Sequence, residues 1–170
     1  MLRVLSDGDD RYRLENDDDV QIGWINGRAI GFRGFATEAD AMAGAVVAWR
    51  ALDLALRRQY PGWPSYTPAL DALRLIHDGA YEWFVDGTSP IARLVRPQRR
   101  AYDLTFGIEL VLPSYASEGV AITAAHAVGA ALASAAEAAH GDALLGMLAH
   151  GDGSSPMQLA PSIPGGDDAA

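Results

Sequence analysis

Two histidine–aspartate pairs lie ten residues apart, His140-Gly141-Asp142 and His150-Gly151-Asp152, and a third, His77-Asp78, sits elsewhere in the chain. Imidazole and carboxylate together suit zinc or manganese. Ten residues of helix, however, would hold two such groups about 15 Å apart, too far for one ion. The pairs converge only if the intervening segment is not helical. Otherwise they read as helix-terminus signals, with histidine favoured near a C-terminus and Gly-Asp breaking the chain. His140, Asp142, His150 and Asp152 stand as weak metal candidates, and no cofactor is expected.

Charge offers two more constellations. Residues 7–19 carry seven carboxylates against Arg11 and Arg13. Oxygen-rich loops attract hard cations, but the EF-hand spacing D-x-[DN]-x-[DN]-G is not met, and a pair of solvated turns accounts for the segment. Arg93, Arg96, Arg99 and Arg100 form the one arginine cluster, a candidate contact for an acidic partner, a phosphate or RNA. A net charge of −9 and sparse nearby aromatics (Tyr102 and Phe106) count against nucleic acid. A more economical use is pairing with segment 7–19 of a second copy, since such pairing selects partners.

The motifs G-x-S-x-G, H-E-x-x-H, P-loop and G-x-G-x-x-G do not occur. A dispersed site built from Asp103, Glu109, His77 and His126 would have to be assembled by the fold. Whether the chain is an enzyme stays uncertain, with the expectation leaning against it. The glycines Gly23, Gly27, Gly31 and Gly34 leave bare backbone along a hairpin. That fits close approach of a ligand or another chain, or room for a packed helix plus one turn glycine.

The elements that must position these groups come in two similar runs. Leu2-Arg3-Val4-Leu5-Ser6-Asp7-Gly8 matches Leu73-Arg74-Leu75-Ile76-His77-Asp78-Gly79, and Phe35-Ala36-Thr37-Glu38 matches Tyr115-Ala116-Ser117-Glu118. A period of this length suits two fused copies of one small module. Each copy reads as four strands and a helix: strands 2–5, 11–15, 20–25 and 28–35 in the first, and 73–76, 81–85, 90–96 and 103–112 in the second. Asn26-Gly27 marks a two-residue hairpin turn. The first helix opens on Thr37 with the stripe Met42, Ala45, Trp49, Leu52, Leu56. The second runs from Ser117 to about residue 139 with Ile122, Ala125, Gly129, Leu132, Ala136. Trp49 aligns with Gly129, and a pseudo-twofold arrangement would let the ring fill the space over the glycine.

The resulting expectation is an α+β fold: a tandem duplication of an antiparallel ββββα-like module, with helices packed on sheet faces. Its boundaries are 1–60 for the first module, 61–70 for a Pro/aromatic linker pinned to a surface, 71–150 for the second module with a short C-terminal helix, and 151–170 for a disordered tail. One eight-stranded sheet and two four-stranded sheets both fit. With 170 residues, 49% apolar and no cysteine, the chain needs no disulfide or metal staple. The N-terminus lacks the pattern of a signal peptide, and the alanine-rich stretch carries polar residues that argue against a membrane span. A cytoplasmic location is expected. The functional expectation is a non-enzymatic interaction or assembly module, self-associating or bound to a protein partner. Its interaction candidates are the four arginines with Trp49 and Gly129. A small-ligand or metal-binding regulatory domain and an enzyme of unrecognised type are the alternatives.

Overall fold

The computed structural model describes the backbone of residues 1–98 and 104–150, and side chains as far as residue 140. Eight strands form one antiparallel sheet: β1 (Arg3–Gly8), β2 (Arg11–Glu15), β3 (Gln21–Asn26), β4 (Ala29–Phe35), β5 (Leu73–Asp78), β6 (Tyr81–Asp86), β7 (Ser89–Val95) and β8 (Phe106–Val111). Their order is β1-β2-β3-β4-β8-β7-β6-β5. Helix α1 (Glu38–Gln59) follows β4 and helix α2 (Glu118–His150) follows β8. The fold class is α+β. Residues Met1–Leu132 make one compact unit containing the whole sheet, and the described residues from Ala133 onward belong to a second.

Turn chemistry sets the strand ends. Three hairpins place a glycine first in a two-residue loop, with φ of +60° at Gly27, +61° at Gly79 and +63° at Gly87. Asn26 is thus the last residue of β3, and the loop is Gly27-Arg28. The β1–β2 hairpin departs from the Asp-Gly reading. Gly8 still pairs with Arg11, so Asp9 and Asp10 form the loop, at φ of 51° and 58°. Two successive left-handed residues are what a type I′ turn demands, and aspartate tolerates that conformation better than most residues.

Helix α1 and the first turns of α2 lie on one face of the sheet. Thr37 caps α1, its hydroxyl accepting the Asp40 N–H at 3.0 Å, and Ser117 does the same for the Val120 N–H at 3.3 Å. Beneath α1 and the first turns of α2 sit Ile30, Phe32, Phe84, Leu94, Ile108, Leu110 and Leu112, all buried. Gly44 of α1 lets the helix settle on Phe35, whose ring lies 2.3 Å from where a Cβ would stand.

Helix α2 meets the sheet through Ala121, Ala124, Ala125 and Val128. That stripe is turned one residue from the expected one, and Ala136 is exposed. Alanine is small enough for the turns on either side of a contact line to compete for it. Gly141-Asp142 does not end α2, which continues to His150. By length and composition alone, Glu118–His140 could cross a membrane. A helix laid on a sheet shares those properties, and its first turns are used that way.

The space over Gly129 is taken by Leu2 (3.1 Å from an added Cβ) and Phe32, not by Trp49. Trp49 instead anchors the proline-rich segment. Its indole N–H donates to the Tyr66 carbonyl at 3.0 Å, and the two rings meet edge to face. Buried Asp53 accepts from Trp63 Nε1 at 2.9 Å and from the Ser65 hydroxyl at 3.3 Å, with Arg57 3.5 Å away. The Tyr66 hydroxyl donates to Asp86, which pushes its pKa up to about 12, helped by burial.

Candidate functional site

Among the described residues of the Met1–Leu132 unit, no helix covers the opposite face of the sheet. Strand register gives that face its pattern, because directly opposed residues in antiparallel strands share a face. One row crosses all eight strands: Leu5, Arg13, Trp24, Gly31, Glu109, Arg93, Trp83 and Ile76. At its centre the Trp24 indole covers Gly31, where an added Cβ would stand 2.0 Å from the ring. The ring, rather than a ligand or a helix, covers the bare backbone of that glycine. Trp24 Nε1 donates to Glu109 Oε2 at 2.7 Å, and Arg93 donates to the other carboxylate oxygen. Arg33 stacks over Trp24 at 5.3 Å and Arg93 over Tyr81 at 4.6 Å. Glu109 is consequently buried although it faces away from the helices.

The alternation of Ile108, Leu110 and Leu112 with Gly107, Glu109 and Val111 does mark the core side. Gly107 and Glu109 are nonetheless buried on the other face, under this aromatic and ionic cover. Sequence spacing could not have found the Trp24–Glu109 contact, which joins residues 85 apart.

The arginine cluster is divided between the two faces. Arg93 belongs to the open-face row. Arg96 turns to the helix side, where it holds Glu82 at 2.6 Å and 2.8 Å and Glu38, at the start of α1, at 3.0 Å. The Arg96 hydrogen bonds hold the Glu82 carboxyl below the usual carboxylate range against the opposing effect of burial. Arg99 and Arg100 lie outside the described residues. Much of the acidic segment is also engaged within the chain: Asp7 and Glu15 pair with Arg13, Glu15 and Asp19 with Arg3, and Asp17 with the N-terminal amine.

No match to this chain appears among family models, curated proteins or solved structures.

The dispersed catalytic set is not assembled. His77 is opposed to Glu82 on the helix side of the sheet, whereas Glu109 is on the open side. His126 is exposed on α2, and Asp103 lies outside the described residues. His140 and His150 ride one continuous helix, ten residues apart, so about 15 Å separates them. The side chains of Asp142 and His150, and all of Asp152, lie outside what is described. Among the described residues no three His, Asp or Glu side chains converge as a metal site.

Two of the concave surfaces among the described residues lie against the helices. A pocket of about 170 Å³ lies where the β3–β4 turn meets the start of α2, lined by Tyr12, Arg28, Ser117 and Glu118 among others. Its volume is below the several hundred Å³ typical of small-molecule sites. The second is a groove of about 410 Å³ on the outer side of the helices. Val47, Ala51 and Leu54 of α1 and Ala127 and Ala131 of α2 form its floor. Arg50 and Arg58 stand on its rim, both exposed and neither in an ion pair among the described residues. Leu54 is 43% exposed in it.

Proposed function

We propose that the chain is a non-enzymatic interaction module, and that the groove between α1 and α2 docks an acidic amphipathic helix of a partner protein. The observation that carries this reading is the pairing of an apolar floor with two exposed arginines that make no ion pair among the described residues. An apolar stripe at i, i+3/i+4, i+7 would seat on the alanines and Leu54, and glutamates beside it would meet Arg50 and Arg58. The protein is acidic overall, so a local basic rim on an apolar groove confers selectivity that bulk charge would oppose.

The internal duplication is part of the same proposal. Sequence matches at two places, the order of four strands then a helix in each half, and the meeting of β4 with β8 at the sheet centre all support two copies of a ββββα module. The proposed boundaries are 1–60 and 71–150, with a cytoplasmic location.

The test uses a helical peptide with a leucine stripe flanked by glutamates, and its twin with lysines in their place, titrated into the full chain. Binding of the acidic peptide alone, weakened at least about tenfold by Arg50→Glu with Arg58→Glu, is expected. Equal binding of both peptides, or none, overturns the groove reading.

A further inference from the structure

The two free edges of the sheet are built differently. The β1 edge is broken by an irregularity between Ser6 and Gly8, and its Arg3 and Asp7 are committed to neighbours on β2 and the following loop. Bulges and charges of that kind protect an edge from adding strands. The β5 edge has no such irregularity. Its six residues pair with β6 in unbroken register, and none is proline. Along its open-face side lie Arg74, Ile76 and Asp78, opposed to Val85, Trp83 and Tyr81 of β6. Arg74 and Asp78 are exposed and make no ion pair among the described residues; Arg74 reaches only the Gly87 carbonyl, at 3.4 Å.

We propose that β5 is the self-association surface of this protein: two copies join β5 to β5 in antiparallel register about a twofold axis passing beside Ile76. A twofold axis normal to the sheet keeps each residue opposite one of its own face, so only self-centred registers are allowed. Centring on Leu75 would set Arg74 against the partner's Ile76 and gain nothing. Centring on Ile76 sets the two Ile76 side chains together and places each Arg74 opposite the partner's Asp78. The charges that would deter a foreign strand are complementary to themselves under this one operation. On the open face, Trp83, Ile76 and their two counterparts form a continuous apolar strip closed at both sides by ion pairs. The outer N–H and C=O groups of β5 gain partners, and the sheet runs unbroken through both molecules. The self-association named here belongs to the interaction-module reading but does not depend on what the groove binds.

Sedimentation equilibrium on the full chain tests it. The wild-type chain is expected at twice its 18.0 kDa mass. Arg74→Asp and Asp78→Arg, each alone, turn two attractions into two repulsions and are expected to weaken the dimer at least about tenfold. The double variant Arg74→Asp/Asp78→Arg restores complementarity and is expected to recover it. All these positions are exposed, and circular dichroism confirms folding of each variant. A wild-type chain that stays monomeric while the acidic peptide still binds overturns the edge dimer and spares the groove. A dimer indifferent to both single reversals, or one lost equally in the double variant, also overturns it.

Discussion

Gly31→Ala puts the central contact of the open face to a quantitative test. A Cβ at that position would stand 2.0, 2.1 and 2.5 Å from Cε2, Cζ2 and Nε1 of Trp24. No adjustment of a few tenths of an ångström absorbs such overlap, so the indole must lift. Lifting it breaks the 2.7 Å bond from Nε1 to Glu109. A hydrogen bond to a charged acceptor contributes about 1.5–3 kcal/mol. Alanine returns about 0.5–1 kcal/mol relative to glycine in a strand interior. The net expected loss is about 1.5 kcal/mol, or roughly 3–6 °C in Tm for a chain of this length. Urea denaturation followed by far-UV circular dichroism measures it without relying on the displaced tryptophan. The decisive control is a double-mutant cycle. In a Trp24→Ala background the added methyl meets no ring, so Gly31→Ala becomes neutral or slightly stabilising. A loss below about 0.5 kcal/mol in the wild-type background, or the same loss in both backgrounds, refutes the reasoning.

Three further outcomes are expected. The Tyr66 pKa is raised to about 12 by its bond to Asp86, so the protonated phenol adds stability that is fully present below the ordinary value near 10 and is lost as pH rises through about 12. A fraction of the tyrosine absorbance change should appear only in that range, and its persistence in Tyr66→Phe refutes the assignment. The Glu82 pKa is depressed by Arg96, so its contribution is present above the unfolded carboxylate value of about 4.3 and disappears as pH falls through the lower folded value. Arg96→Gln should flatten the acid limb of the stability–pH curve by less than about 1 kcal/mol, because Arg96 is half exposed; an unchanged limb counts against the pairing. Asp53→Ala strands the Trp63 and Ser65 donors and should cost about 2–3 kcal/mol. It should also speed amide exchange in residues 60–68, and protection equal to wild type there refutes the anchoring role.

The strands were legible because their alternation and turn residues are local properties. Arg11–Glu15 is recovered to the residue, as are the end of β4 at Phe35 and the starts of β5 at Leu73 and β6 at Tyr81, and the remaining strand ends shift by one to three positions. The turn at Asp9-Asp10 was misplaced because the Asp-Gly dipeptide one step earlier is the stronger generic signal. The end of α2 was misplaced because Gly141-Asp142 breaks helices only when the sequence beyond it cannot carry one, and Ala143-Leu144-Leu145 can. Of the open-face site, Gly31, Glu109 and Arg93 each stand out in the sequence, but for other roles and not as one cluster. Trp24, Glu109 and Arg93 come from three strands, and nothing short of the β4–β8 and β7–β8 registers says that they meet. The arginine cluster misled for the complementary reason: side chains alternate along extended chain, so Arg93 on β7 and Arg96 just past its end point to opposite faces.

The meeting of β4 with β8 has a consequence for how the protein is made. When β4 leaves the ribosome its partner strand is still unsynthesised, since the pairs that close this seam run from Ala29 with Val111 to Phe35 with Phe106, about 70 to 80 residues apart. At 5–20 residues per second that gap lasts roughly 4–16 s. During it the nascent chain carries a four-stranded meander whose last strand, bearing Ile30 and Phe32, has an open edge. Helix α1 is translated next and can shelter the apolar side of that strand, but the edge itself waits for the second half of the chain. Slowed translation between residues 60 and 105 should therefore raise aggregation of the newborn protein more than slowing elsewhere, which a synonymous-codon series read by soluble yield would measure.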